Sequence, residues 1–233
     1  IKIRHTLPAS STWPGGIPPE VVAAGDTPAG KAEGIVATEV GQGVSVTLRS
    51  SDPFARWEQA SVIRGAGKGT VSAVAYAALG DITASQFQSL ADIQRELGAD
   101  VRLSNRQNVV FRGLQEEQLR TLFDRLEAIG MARPGAELAR DVVACPGADT
   151  CNIAVTQSRG LAKAIGERLE EEGLAEVGGV RINISGCTNS CGQHHASDIG
   201  LFGAERRAHG RSLPGYQLLP GGYVGDEQIH FGQ

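Results

Sequence analysis

The stretch Cys145-Pro-Gly-Ala-Asp-Thr-Cys151 is answered by a second, Gly186-Cys187-Thr-Asn-Ser-Cys191-Gly192, and these four are the only cysteines in the chain. The pattern is C-x5-C followed by C-x3-C, with 35 residues between the inner pair. Structural zinc sites usually draw ligands from C-x2-C or C-x4-C knuckles, where one tight turn aims two thiolates at a tetrahedral ion. Neither pair has that form. Four thiolates are also what a 4Fe-4S cluster requires, one per iron, and wider spacings suit a cube approached from different corners. Glycine beside each pair lets the backbone come close and point amide hydrogens at sulfur. Spacing by itself leaves a cluster, a zinc site, disulfides and inert thiols all open.

The flanking residues place these cysteines at strand ends. Residues 141–144 read as a short strand running into the first pair, 158–172 as an amphipathic helix, and 180–185 as a strand delivering the second pair. Cysteines on such loops are fixed by the strands while the loop bends around a cofactor. Beyond them, 199–202 and 216–219 read as further short strands divided by the basic turn AERRAHGR.

Upstream, 71–79 is β-prone, and Thr83-Ala-Ser-Gln86 is a capping box opening a helix with Phe87, Leu90, Ala91 and Leu97 on one face and Gly98 at its end. Residues 101–111 read as one strand with a polar interruption. Residues 115–129 form a second helix with Leu119, Leu122, Phe123, Leu126 and Ile129 as its stripe. The fold class expected is α/β (α+β). Residues 1–60 are rich in Gly, Pro, Ser and Thr and read as an arm or linker, with a hairpin over 34–49.

With 233 residues the chain can bury one large or two small cores. A net charge of −4 and a pI near 5.8 give no general nucleic-acid signature, and no apolar run is long enough to span a membrane. A cytoplasmic, reducing setting is expected, which disfavours disulfides. Of 22 basic residues 18 are arginine, from genomic bias or from a need for forked carboxylate binding.

ACPGADTCNIAVTQSRGLA together with RINISGCTNSCGQHHASDIGLFG resembles the iron-sulfur and sirohaem domain of the assimilatory nitrite and sulfite reductases. The preceding ALGDITASQFQSLADIQRELGADVRLSNRQNVVFRGL resembles the ferredoxin-like half-domain of that family. Three segments follow: 1–60 as the arm, 61–134 as the half-domain, and 135–233 as the α/β domain for a 4Fe-4S cluster and sirohaem. The resemblance implies that Cys145, Cys151, Cys187 and Cys191 ligate the cluster and that Cys191 bridges it to the sirohaem iron. Asn189 occupies the position that approaches the tetrapyrrole. Arg102, Ser104, Arg106, Gln107 and Asn108 match an R-x-T-x-R-Q-N element that contacts sirohaem carboxylates, with serine in place of threonine.

An independent physical reason supports that last element. Sirohaem carries many carboxylates, which arginine's planar fork matches, and Arg102, Ser104 and Arg106 would share a face if they alternate along one strand. His194 and His195 are expected to be structural or to donate hydrogen bonds rather than to ligate iron, because the shared cysteine fills the proximal position. The implied reaction is six-electron reduction of nitrite to ammonia or sulfite to sulfide, with Cys191, Arg106 and Lys68 as catalytic candidates. Ferredoxin, a flavoprotein or an NAD(P)H-linked subunit would donate electrons. The segment before GDIT departs from the family: it holds Lys68 and no arginine from Gly65 through Gln94. The distal basic groups would then come from a homologous half or a self-associated copy. A precorrin-3B synthase-like enzyme of corrinoid biosynthesis and an electron-transfer or zinc module remain as other readings.

Overall fold

Among the described residues, Asp52 starts the first helix by accepting the Phe54 and Ala55 amides, each at 3.3 Å, with Pro53 in the first turn where a missing N–H costs nothing. The computed structural model describes residues 50–64, 69–224 and 229–233. Lys68, the hairpin expected over 34–49 and most of the arm expected over 1–60 lie outside those residues.

After α1 (Pro53–Ser61) come β1 (Val62–Arg64), β2 (Val71–Ala75), α2 (Ala84–Leu97), β3 (Asp100–Leu103), β4 (Val109–Leu114) and α3 (Leu119–Ala128). The strands form an antiparallel sheet of order β1-β2-β4-β3. Alternate residues Val71, Ala73 and Ala75 of β2, with Val109 and Phe111 of β4, meet Trp57, Leu90, Ile93, Leu119, Leu122, Phe123 and Leu126 from the three helices. This is the period-two face of a sheet buried under helical stripes.

The capping box of α2 forms as its sequence demands. Thr83 Oγ1 accepts the Gln86 amide at 3.2 Å, Gln86 Oε1 accepts the Thr83 amide at 3.0 Å, and Gly98 ends the helix at φ +64°. Phe87 is a correction: it is 57% exposed, because Leu90, Ile93 and Leu97 set the centre of the stripe and Phe87 lies on its flank. Residues 101–111 are corrected too. They are a hairpin, not one interrupted strand, since Ser104 N–H donates to Asn108 O and Gln107 N–H to Ser104 O to close a tight turn.

The second sheet has order β5-β6-β7-β8, built from β5 (Val143–Ala144), β6 (Ile182–Ser185), β7 (Ile199–Ala208) and β8 (Arg211–Pro220). β5, β6 and β7 run parallel, and β8 returns antiparallel. Helix α4 (Ser158–Glu171) connects β5 to β6 and buries Ala162 against Val142, Ala144, Ile182 and Ile184. A small antiparallel ribbon, β9 (Tyr223–Val224) with β10 (Ile229–His230), follows.

The expected basic turn between two short strands is also corrected. AERRAHGR continues β7 into a ten-residue strand, and the chain reverses at His209 and Gly210, with φ of +51° and +71°. Residues 205–207 are exposed, so no one-sided burial imprints the apolar alternation that marks a strand.

Candidate iron-sulfur site

Parallel pairing aligns Val143 with Asn183 and Ala144 with Ile184, so β5 and β6 end side by side. The next residues are Cys145 on one strand and Gly186-Cys187 on the other, which brings the two cysteine loops to one edge of the sheet. Cys145 N–H donates to Ile184 O at 3.1 Å. Gly186 N–H donates to Cys145 Sγ at 3.1 Å, and Ser158 Oγ lies 3.4 Å from the same sulfur while donating to Cys145 O at 2.6 Å. The Val155 and Thr156 amides both reach Gly186 O, at 2.8 and 3.2 Å, so each loop is pinned to the other.

Two glycines make the approach possible. Gly147 sits at φ +62°, and a Cβ there would lie 2.4 Å from Ser158 Oγ and 2.6 Å from Ser158 N. A Cβ at Gly203 of β7 would lie 2.2 Å from Gly186 O. The four cysteines are free thiols graded in exposure, Cys145 buried, Cys151 and Cys187 half-buried, Cys191 exposed. Among the described residues no three His, Cys, Asp or Glu side chains converge on one metal position. The fit to a 4Fe-4S cluster therefore rests on the donor set: four thiols on adjoining loops, with the Gly186 amide already donating to Cys145 Sγ.

The expected shared face of Arg102, Ser104 and Arg106 does not form, because β3 ends at Leu103 and the chain turns. Arg102 is exposed and paired with Asp100 at 2.6 Å. Arg106 is 8% exposed and turns inward, its Nε donating to Asp141 Oδ2 at 3.0 Å and its Nη2 to Asp141 O at 2.8 Å. Asn108 Nδ2 donates to the same carboxylate at 3.0 Å, and its Oδ1 accepts the Ala77 amide at 2.9 Å. Gln107 Nε2 donates to Ala144 O at 3.0 Å. The turn that was expected to meet carboxylates of a tetrapyrrole thus directs three of its polar side chains onto the strand leading to Cys145. Ser104 is half-buried, and its hydroxyl accepts the Asn108 amide at 3.2 Å.

Asn189 is exposed in the turn between Cys187 and Cys191. His194 is fully buried, with Nδ1 2.8 Å from Ser185 Oγ and its ring stacked on Phe202 at 4.9 Å between centroids. Burial, with a smaller contribution from His195, pushes its pKa down to about 4, so it is neutral near pH 7. Ser185 Oγ also accepts the Gly192 amide at 3.0 Å, which ties His194 to the end of the second cysteine loop. An open cavity of about 640 Å³ lies alongside, lined by Ser190, Gln193, His195, Ala196, Phe231 and Gly232.

Sequence reasoning missed Asp141, Ser158 and Ser185. Asp141 is 4% exposed and accepts from Arg106, Asn108 and the Glu137 amide, yet in sequence it is only one acid before an apolar triplet. Ser158 and Ser185 are 0% and 1% exposed; Ser185 follows an Ile-Asn-Ile run, whereas Ser158 stands between Gln157 and Arg159, where nothing in the sequence marks it as buried.

Comparison with known proteins agrees with this architecture. The family model described as the nitrite and sulphite reductase 4Fe-4S domain matches residues 135–229, and the nitrite/sulfite reductase ferredoxin-like half domain matches 64–129. A ferredoxin–nitrite reductase of Synechococcus elongatus is 36% identical over 156 residues, which is 66% of this chain and 30% of that protein. Sulfite reductase [ferredoxin] 2 of Mycolicibacterium paratuberculosis is 29% identical over 155 residues, 64% of this chain and 28% of that protein. The chain therefore spans under a third of the length of these curated relatives. Among solved structures, the Mycobacterium tuberculosis NirA protein superposes with a TM-score of 0.61 at 26% identity, over 75% of this chain and 33% of that one.

Proposed function

Because the chain belongs to the nitrite and sulfite reductase family, we propose that it is a cluster-bearing module for the six-electron reduction of nitrite to ammonia or sulfite to sulfide. Cys145, Cys151, Cys187 and Cys191 would hold the 4Fe-4S cluster. The observation that carries this reading is the pair of cysteine loops at the ends of adjacent parallel strands, joined by the Gly186 N–H to Cys145 Sγ hydrogen bond. When bound, the cluster supplies single electrons and the sirohaem supplies the iron that takes the substrate.

The chain's own residues act by placement and by charge. Gly186 N–H, donating to Cys145 Sγ, and Ser158 Oγ, 3.4 Å from the same sulfur, fix where Cys145 presents its sulfur to iron. Cys191, the exposed member of the four, would be the thiolate available to both the cluster and a second cofactor. Arg102, Ser104 and Asn189 would be the polar groups that meet a carboxylate-bearing tetrapyrrole, while Arg106, Gln107 and Asn108 hold their turn against the strand leading to Cys145. A small oxyanion needs further cationic groups to bind it and to deliver protons. Lys68 is one candidate, and a partner segment or second copy supplies the rest. Ferredoxin is the donor suggested by the names of the relatives.

The test is an anaerobic absorption spectrum of the purified chain with extractable sirohaem measured in parallel. Tetrapyrrole bands that shift on adding nitrite or sulfite are expected. A chain that carries no iron-sulfur cluster and takes up no sirohaem when mixed with it would refute the reductase reading.

A further inference from the structure

Gln107 sits at φ +66°, in the left-handed region where glycine is tolerated without cost and a longer residue is not. It closes a tight hairpin turn, the place where glycine is the ordinary choice. What glutamine adds is its side chain, whose Nε2 donates to the carbonyl of Ala144 at 3.0 Å. Ala144 is the last residue of β5 and is bonded to Cys145. On either side of Gln107, Arg106 and Asn108 grip Asp141 two residues before β5 begins. One turn of the first sheet thus holds both ends of the short strand that delivers the first cysteine. β5 has only two residues and one strand neighbour, β6, so its own ladder does little to fix it.

We infer that Gln107 is a positioning residue for Cys145, setting the carbonyl and hence the thiol of the first cluster loop through its hydrogen bond to Ala144. This rests on the reading of the four cysteines as cluster ligands. Arg106, Asn108 and Asp141 anchor the strand, and Gln107 trims its end. The side chain never touches the thiol, so its effect is on where Cys145 Sγ sits relative to Gly186 N–H and Ser158 Oγ.

The experiment is residue-resolved alkylation of the four cysteines in the cluster-free full chain, comparing wild type with Gln107→Gly and Gln107→Asn. Glycine relieves the positive φ and asparagine tolerates it, and neither can reach Ala144 O, so both variants keep the turn. Cys145 is expected to react about fivefold faster in both, the loss of one half-buried hydrogen bond, with Cys151, Cys187 and Cys191 unchanged. In the reconstituted protein both variants are expected to shift the reduced cluster's electron paramagnetic resonance signal. Unchanged Cys145 reactivity in folded variants would overturn the inference. So would an equal rise at all four cysteines, which would report general loosening instead. A wild-type chain that takes up no iron and sulfide would remove the cluster reading, leaving the alkylation comparison to decide the role of Gln107 alone.

Discussion

Replacing Asp141 with asparagine removes one negative charge and almost no volume from a site where the carboxylate is 4% exposed and its arginine partner 8%. In the native protein the carboxylate receives Arg106 Nε at 3.0 Å, Asn108 Nδ2 at 3.0 Å and the Glu137 amide at 3.2 Å. An asparagine oxygen can still accept, but the guanidinium is left buried without its counter-charge, a change that typically costs 3–5 kcal/mol. Glu137 Oε1 lies 3.5 Å from Arg106 Nε and offsets part of this, so about 3 kcal/mol is expected for Asp141→Asn. In a domain of this size that lowers the melting midpoint by roughly 6–12 °C. Urea titration gives the energy directly, and the double variant Arg106→Leu/Asp141→Leu supplies the control. Its cost should fall short of the two single leucine substitutions summed by at least about 1.5 kcal/mol, because removing both charges strands neither. An Asp141→Asn variant within about 0.5 kcal/mol of wild type, or strict additivity in the cycle, would refute the claim that this pair clamps the first sheet to β5.

Thr83→Ala should cost about 1 kcal/mol by urea titration, since it deletes the acceptor for the Gln86 amide at the start of α2. Gly203→Ala brings a methyl within 2.2 Å of Gly186 O and 2.3 Å of Thr156 Oγ1, so the second cysteine loop must move; iron content should fall well below wild type. Because the folded-state pKa of His194 is depressed to about 4 from an ordinary 6.5, the folded protein binds fewer protons than the unfolded one in that interval. Stability should therefore be lost as pH falls from about 6.5 towards 4, and His194→Gln should flatten that part of the stability profile; an unchanged slope would contradict the assignment.

The capping box at Thr83 was legible from its residue types, and the stripe Leu119, Leu122, Phe123 and Leu126 from the helical period of a face set on a core. The strand running into Cys187 is buried at all four residues, and its two isoleucines before the glycine marked it instead. The β7–β8 hairpin runs past the core with residues 205–207 in solvent, so its arginines resembled a turn. The element 102–108 was legible as polar and important but not as a turn, because Ser104 and Gln107 close it through backbone bonds that leave no hydrophobic trace. The inward swing of Arg106 was hidden for a related reason. Its partner Asp141 lies 35 residues away, and a buried ion pair across that distance has no local signature. The cysteine loops could be placed at strand ends from the sequence, whereas the donors from Gly186 and Ser158 to Cys145 depend on the parallel register of β5 and β6, which pattern alone does not set.

The central claim is that Cys145, Cys151, Cys187 and Cys191 hold one 4Fe-4S cluster, and metal analysis of the anaerobically purified chain with acid-labile sulfide tests it most directly. About four iron and four sulfide per polypeptide are expected, falling sharply on Cys187→Ser. One zinc per chain with no labile sulfide would contradict it.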